Sequence, residues 1–205
     1  MFRTYSFEPG IRSRYTGGSR HEMWEAVRAS AAAPTYFEEI KLGNNLHQDG
    51  GVLVNNPTSV ALSEAKTIWQ GQPLQCVMSL GTGQTFSSRN DPNLSDLSNP
   101  PSSKSPNSLS WKGKFLKVLD SATDTESVHY TLMELLPKDV YFRFNPHISE
   151  MITLDEANHE RLEQLQKETQ EYLVRNIDKV EHCCDMLTRQ KRLPQRLYDW
   201  YKFQG

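Results

Sequence analysis

Apolar residues in the first 83 positions alternate between helical and extended patterns. Across 21–33 they recur at helical spacing until Pro34, whose ring prevents the helix from continuing. Residues 36–40 then have the composition of a strand, a turn follows at 43–45, and 46–54 is predicted to be extended except where Gly50-Gly51 breaks it. The pattern therefore predicts a helix followed by two extended segments.

A second helix and a buried strand follow this first group. Asn56 can cap, and Pro57 can open, a helix that ends at Gly71. Residues 74–80 are a continuous apolar run of the type found in buried parallel strands, and the glycine-flanked segment 81–83 ends it. Helix, strand, helix and strand in this order are typical of an α/β sandwich, because each parallel pair needs a crossover helix.

The remainder of the chain contains a polar loop and long helical stretches. Residues 84–110 are rich in Ser, Asn and Pro and predict a loop. Helical periodicity returns over 111–136, and 140–144 alternates as a strand that would extend the same sheet. The apolar residues of 155–193 fall on one face with charged residues opposite, which predicts one long helix.

Composition and charge exclude several classes of protein. The 23 Lys and Arg against 25 Asp and Glu give a net charge of −2, which argues against a nucleic-acid-binding protein. Three cysteines, two of them adjacent, cannot form a disulfide framework and suit a reducing compartment. No apolar run approaches the length of a membrane span, and the first 20 residues lack the apolar segment of a signal peptide. We therefore expect an intracellular protein.

The last 20 residues combine cations with aromatic side chains. This composition suits a membrane surface, and it equally suits a solvated helix end with packing aromatics, so both interpretations stay open. The charged residues are Arg189, Lys191, Arg192, Arg196 and Lys202 against Asp199 alone.

One carboxylate stands at a position where it could act as a base. Asp49 follows a predicted strand and precedes Gly50 and Gly51, which leave room for another group to approach it. Asp-Gly is also a common turn pair, and the three residues alone favour a turn. His47 is two residues earlier and could pair with Asp49, although a hydrogen-bonded structural role is the more frequent one for a strand histidine.

Two other segments have weaker chemical signals. Gly81 and Gly83 follow a predicted strand, where α/β sheets bind ligands, but no Lys follows them as in a phosphate-binding loop, which favours a structural turn. His182, Cys183 and Cys184 are contiguous on a predicted helix and point in different directions, which argues against a zinc site.

Four sequence blocks occur in an order that is more specific than any one of them. They are ASAAAPTYF at 29–37, DGG at 49–51, NNP at 55–57 and SLGTG at 79–83. Together they resemble the second half of a patatin-like phospholipase domain. SATDTE at 121–126 and YFRFNP at 141–146 narrow the resemblance to the calcium-independent phospholipases of gamma type, and it covers nearly the whole chain.

The resemblance implies a fold and a division of the chain. The expected fold is an α/β, patatin-like three-layer sandwich that is incomplete, because its N-terminal strands are missing, with a C-terminal helical extension. Residues 1–150 would form the C-terminal part of the catalytic domain, with the loop at 84–110, and residues 151–205 the helical extension.

The resemblance also implies a chemistry. It is the hydrolysis of glycerophospholipid acyl esters by a Ser and Asp dyad, in which Asp49 is the base and Gly50 and Gly51 present it. Such a dyad needs no calcium, other metal or cofactor. Further positions that the resemblance places near the site in structural roles are Ser30, Pro34, Asn55, Asn56, Gly81 and Gly83.

The sequence departs from the family pattern at the nucleophile. The 205 residues contain neither the G-x-S-x-G elbow nor the glycine-rich oxyanion segment, and the nearest approach, Gly17-Gly18-Ser19-Arg20-His21, ends in His. We therefore expect the chain to be inactive alone and to pair with the N-terminal half of a catalytic domain. The alternative is a non-catalytic module that binds a lipid surface or a partner chain.

The family also suggests where the protein acts. Its members act on membrane phospholipids, so the expected partner is a phospholipid substrate or a membrane surface, and no nucleic acid. By the same resemblance we expect a peripheral location at the endoplasmic reticulum, the mitochondrion or the peroxisome.

Overall fold

A computed structural model describes residues 1–85, 125–150, 152–191 and 193–202. Its helices are α1 (Met23–Ser30), α2 (Thr58–Ile68), α3 (Thr125–Leu135), α4 (His159–Arg175), α5 (Ile177–Thr188) and α6 (Leu193–Lys202), and its strands are β1 (Ile40–Leu42), β2 (Asn45–His47), β3 (Val77–Leu80) and β4 (Tyr141–Phe144). This mixture of helices with small sheets confirms the α/β class. The predicted loop beyond residue 85 and the predicted helix from 111 to 124 lie outside the described residues. The proposed division at residue 150 stays a prediction.

Two compact units make up the described chain, and the first contains residues 1–73 and α3. Its strands β1 and β2 form an antiparallel hairpin in which Ile40 lies opposite His47. Gly43 supplies the positive φ, +59°, that a two-residue hairpin turn requires, so the predicted turn is confirmed. The predicted strand at 36–40 is wrong except for its last residue, because the amides of Tyr36 and Phe37 donate to the Ala33 carbonyl and form a turn.

Helices α1 and α2 differ in how well their ends were predicted. Helix α1 ends at Ser30, three residues before the predicted end, because the backbone tightens into short-range bonds such as Ala33 N–H to the Ala31 carbonyl. Helix α2 begins at Thr58, one residue later than predicted, because Pro57 occupies the N-cap position, and it ends at Ile68, before the predicted stop at Gly71. The Asn56 Oδ1 accepts from the N–H and the hydroxyl of Thr58, at 3.2 and 2.6 Å, and so satisfies a backbone donor of the first turn.

The second unit is built on a parallel strand pair. Strands β3 and β4 pair in parallel with Val77 opposite Tyr141, which confirms that the two predicted strands share a sheet. Strand β3 begins at Val77 and not at residue 74, because the first bond between the two segments joins the Val77 N–H to the carbonyl of Val140, the residue before β4. The core of this unit consists of buried Phe142, Phe144 and Cys183, with Cys76, Tyr172, Val180 and Met186 packed against it.

The single long helix predicted over 155–193 is wrong. Helix α4 ends and α5 begins at Asn176, whose Nδ2 donates to the Tyr172 carbonyl at 2.8 Å. The side chain thus competes for a helical carbonyl, as Asn commonly does near helix ends. None of the helices within the described ranges is long and apolar enough to cross a bilayer.

Candidate active site

Backbone contacts in the first unit fix the position of Asp49. It lies two residues after β2, and its N–H donates to the Ala32 carbonyl at 3.1 Å. It is also the N-cap of a one-turn 3₁₀ helix, Gly50–Val52. Asp49 is thereby held between the turn that follows α1 and the end of the hairpin.

The Asp49 carboxylate is half-buried, and its Oδ1 accepts the Gly51 N–H at 2.6 Å. A Cβ on Gly51 would lie 3.1 Å from this oxygen and 3.5 Å from Oδ1 of Asn55, so the missing side chain allows both groups to approach. A Cβ on Gly50 would meet no atom within 4 Å. The second glycine therefore serves local packing, whereas the first leaves the surface beside Asp49 uncovered.

This arrangement suits a proton acceptor. One carboxylate oxygen is engaged by a backbone N–H, and Oδ2 makes no hydrogen bond within the described residues. A half-exposed carboxylate with one oxygen fixed and the other open can take a proton from a group brought beside it.

The other predicted site residues of the first unit lie at different distances from Asp49 and Gly51. Asn55 lies beside Gly51, and the exposed Ser30 and half-buried Pro34 flank the turn that accepts the Asp49 N–H. Asn56 is buried, and its Nδ2 donates to the Thr125 carbonyl at 3.0 Å. The structure thus brings Asp49, Gly51 and Asn55 together and gives Asn56 a scaffold role.

His47 belongs to an aromatic cluster that the sequence analysis missed. Its ring centroid lies 5.3 Å from Phe2 and 6.2 Å from His21. Its buried Nε2 has no hydrogen-bond partner within the described part of the chain, Asp49 included. The structure therefore gives His47 a packing role. No local signal links Phe2 to a histidine 45 residues away in the sequence.

Gly81 and Gly83 belong to the second unit, where they shape the turn after β3. The Gly81 N–H donates to the Phe144 carbonyl at 2.8 Å, and the Gly83 N–H donates to Oδ1 of Asn145 at 2.9 Å. Gly83 has a φ of +113°, which favours glycine. Since both amides have internal acceptors, this turn is structural and does not present them to a phosphate.

The His-Cys-Cys segment also has internal partners. The His182 ring lies against Phe142, and its Nε2 is 3.2 Å from Oδ1 of Asp139. Cys183 is buried with its Sγ 3.9 Å from that of Cys76. In the ranges that the structure describes, no three His, Cys, Asp or Glu side chains are placed to hold a metal ion.

Ser19 is the serine nearest to an elbow motif in the sequence. Its hydroxyl pairs with that of Ser6 at 2.8 Å, and Gly18 forms an isolated bridge with Phe2. Ser19 thus lies beside a short backbone bridge, and the next helix, α1, begins only at Met23.

Comparison with known proteins defines the family. Residues 1–62, which include α1, the hairpin and Asp49, match the family model described as patatin-like phospholipase. The calcium-independent phospholipase A2-gamma of Rattus norvegicus is 48% identical to this chain, and the match covers all of this chain and 25% of the rat protein. The human protein of that name is 46% identical over 98% of this chain and 24% of its own length. Phospholipase A I of Arabidopsis thaliana is 28% identical over 86% of this chain and 13% of its own length.

These matches confirm the resemblance drawn from the sequence blocks. The chain is similar over its whole length to a portion of the gamma-type calcium-independent phospholipases, and its first 62 residues match the patatin-like phospholipase model. It spans about a quarter of their length. Its helices and small sheets are those of an incomplete patatin-like fold.

Proposed function

We propose that this chain supplies the general base of a lipid acyl hydrolase that acts on glycerophospholipid esters, and that Asp49 is the base. The observation that carries the proposal is the half-buried Asp49 carboxylate, with Oδ1 fixed by the Gly51 N–H at 2.6 Å. The family match over residues 1–62 includes this whole arrangement, and the names of the relatives support the class of reaction.

The proposed chemistry follows from the weakness of a hydroxyl nucleophile. A serine hydroxyl attacks an ester carbonyl efficiently only when an adjacent base removes its proton. With Oδ1 of Asp49 engaged by Gly51, the proton goes to Oδ2 and is then returned to the leaving alcohol. No step of this sequence requires calcium.

The serine of this dyad is not supplied by a G-x-S-x-G motif within the 205 residues. We therefore expect no hydrolysis and no fluorophosphonate labelling of the chain alone. Activity would require a partner segment that carries the serine elbow and the oxyanion donors. Attachment to organelle membranes stays a proposal of the same kind.

A chimera tests the role of Asp49 directly. The 205 residues would replace the aligned segment of the rat calcium-independent phospholipase A2-gamma, to which they are 48% identical. Asp49→Asn keeps an acceptor oxygen for the Gly51 N–H but removes the base. We expect phospholipid hydrolysis to fall by about 10³-fold or more.

The matched control is Asp139→Asn, at a surface carboxylate in the second unit that is 70% exposed. This variant should hydrolyse phospholipid at the rate of the unmodified chimera. An Asp49→Asn chimera that folds normally and keeps full activity would contradict the proposal and favour the non-catalytic alternative.

A further inference from the structure

The last described helix, α6, exposes one continuous apolar stripe. Four of the large apolar side chains that the structure describes in this helix are between 61% and 79% exposed. At 100° per residue they fall within about 100° of the helix circumference, which is the width of an amphipathic face. We call these residues the α6 stripe: Leu193, Leu197, Trp200 and Tyr201.

Arg196 on α6 and Lys191 just before the helix are the described cations near the α6 stripe. Arg196 is three residues after Leu193, which places it at the border of the stripe and not opposite to it. Lys191 and Arg196 line, together with Gln190, a shallow depression of about 300 Å³ at the start of α6. The helix therefore presents apolar and cationic groups side by side.

The positive charge of the chain is concentrated in the region that contains α6. The last 20 residues have a net charge of +4, whereas the rest of the chain has a net charge of −6. An anionic surface would attract the end that carries α6 and repel the remainder. Charge complementarity thus selects an anionic occupant for the α6 stripe.

We propose that α6 docks on the surface of an anionic phospholipid bilayer. Leu193 and Leu197 would enter the boundary between head groups and acyl chains, and Trp200 and Tyr201 would lie at the head-group level that amphipathic rings favour. Arg196 would contact lipid phosphates from the border of the stripe, and Lys191 would do so from the depression that the two residues line. The proposal is independent of Asp49.

A second copy of the chain fits the α6 stripe less well. Four side chains on a ten-residue helix are too few for a stable interface, which needs about 800 Å² and roughly 20–30 residues on each partner. Two copies that met through this stripe would also bring the same cations together.

Vesicle flotation tests the proposal, because protein aggregates do not float. The chain would be mixed with vesicles of phosphatidylcholine and phosphatidylglycerol at 7:3, and with vesicles of phosphatidylcholine alone. We expect flotation with the anionic vesicles, loss of flotation with the neutral ones, and weaker binding as salt increases.

Two variants separate the charge from the apolar stripe. Lys191→Gln with Arg196→Gln should weaken binding to anionic vesicles by about 25-fold, since each cation near such a surface contributes about fivefold. Leu197→Gln with Trp200→Gln should weaken it by about tenfold or more. Asp49→Asn should float like the unmodified chain, which separates this proposal from the catalytic one.

Matched controls change the same residue types elsewhere. Lys167→Gln with Arg175→Gln removes two exposed cations of α4, and Leu135→Gln with Val174→Gln removes two apolar side chains that are 75% and 72% exposed. Both controls should float unchanged.

Three outcomes would overturn the proposal. The first is that the unmodified chain does not float, and the second is that the α6 variants float as well as their controls. The third is that the apolar variant floats unchanged but has a lower molecular mass in sedimentation velocity, which would indicate that the stripe binds a second copy of the chain. If the apolar variant loses helical structure, the charge variant decides alone, because it retains the whole α6 stripe.

Discussion

Arg3 and Glu64 form a buried ion pair between the N-terminal segment and α2. The Arg3 Nε lies 2.6 Å and one Nη 3.1 Å from the Glu64 carboxylate, and both side chains are about 95% buried. The hydroxyls of Tyr5 and Ser13 donate to the same carboxylate. Glu64 thus binds three side chains of the N-terminal segment to one position on α2.

Neutralising Glu64 should destabilise the first unit. Glu64→Gln leaves the Arg3 guanidinium buried without a counter-charge, and breaking such a pair costs about 3 kcal/mol. Denaturant unfolding of the variant should report this loss in the free energy of unfolding. Glu150→Gln is the control, because Glu150 pairs with Arg161 at the exposed surface, where a pair is worth less than about 1 kcal/mol. Equal losses in the two variants would contradict the assignment.

Stability should depend on pH through the same carboxylate. The hydrogen bond from Arg3 and those from Ser13 and Tyr5 lower the pKa of Glu64 from 4.5 to about 2, against the opposing effect of burial. A carboxyl whose pKa is lower in the folded state stabilises the fold above pH 4.5, and this contribution is lost as the pH falls towards 2.

Unfolding measured from pH 6 to pH 2 checks this dependence. The pKa values of Glu156 and Glu168 are lowered as well, chiefly by hydrogen bonds from Arg161 and Ser149. The difference between the unmodified chain and Glu64→Gln isolates Glu64, and it should shrink below pH 4.5. A difference that is constant over this range would refute the role of Glu64.

Gly81→Ala should destabilise the second unit. The new Cβ would overlap the side-chain amide of Asn145 and approach Nη2 of the buried Arg143 to 2.8 Å. Overpacking of this kind costs about 1–3 kcal/mol. Gly18→Ala, whose Cβ would meet no atom within 4 Å, should change the unfolding free energy little. The prediction fails if both variants unfold at the same denaturant concentration.

The three cysteines should differ in reactivity. Burial, followed by the hydrogen bond with Cys76, raises the pKa of Cys183 to about 11, so roughly one thiol in a thousand is ionised at pH 8. Cys184 is exposed. Under native conditions iodoacetamide should alkylate Cys184 first and Cys183 last, as followed by mass spectrometry. Cys184→Ser should remove the fastest phase, and rapid alkylation of Cys183 in the folded chain would contradict this order.

Local signals predicted the parts of the fold that depend on neighbouring residues. The turn at Gly43 and the hydrogen bond from the Thr58 N–H to Asn56 at the start of α2 follow from residue types that suit those backbone positions. The pairing of β3 with β4 follows from the continuous apolar run at 74–80 and the alternating segment at 140–144, which both predict strands of one sheet. The position of Asp49 after a strand was predicted for the same kind of reason.

Other features depend on side chains that meet from distant positions. Arg3 and Glu64 are 61 residues apart in the sequence, and no periodicity connects them. The break at Asn176 depends on one side chain that bonds to a carbonyl, which an uninterrupted apolar stripe conceals. The contact between Gly51 and Asn55 could not be predicted, because the sequence does not specify the conformation of the turn that joins them.

A lysine side chain occupies a backbone acceptor on the edge of β4 that faces away from β3. The carbonyls of Val140 and Phe144 accept from the N–H groups of Val77 and Gly81, so the carbonyl of Arg143 faces the opposite side of the strand. The Lys179 Nζ donates to that carbonyl at 2.6 Å, and burial lowers the pKa of this lysine. An incoming strand would have to displace the ammonium group before it could pair there. The Lys179 ammonium group therefore protects this edge of β4 against pairing with a further strand.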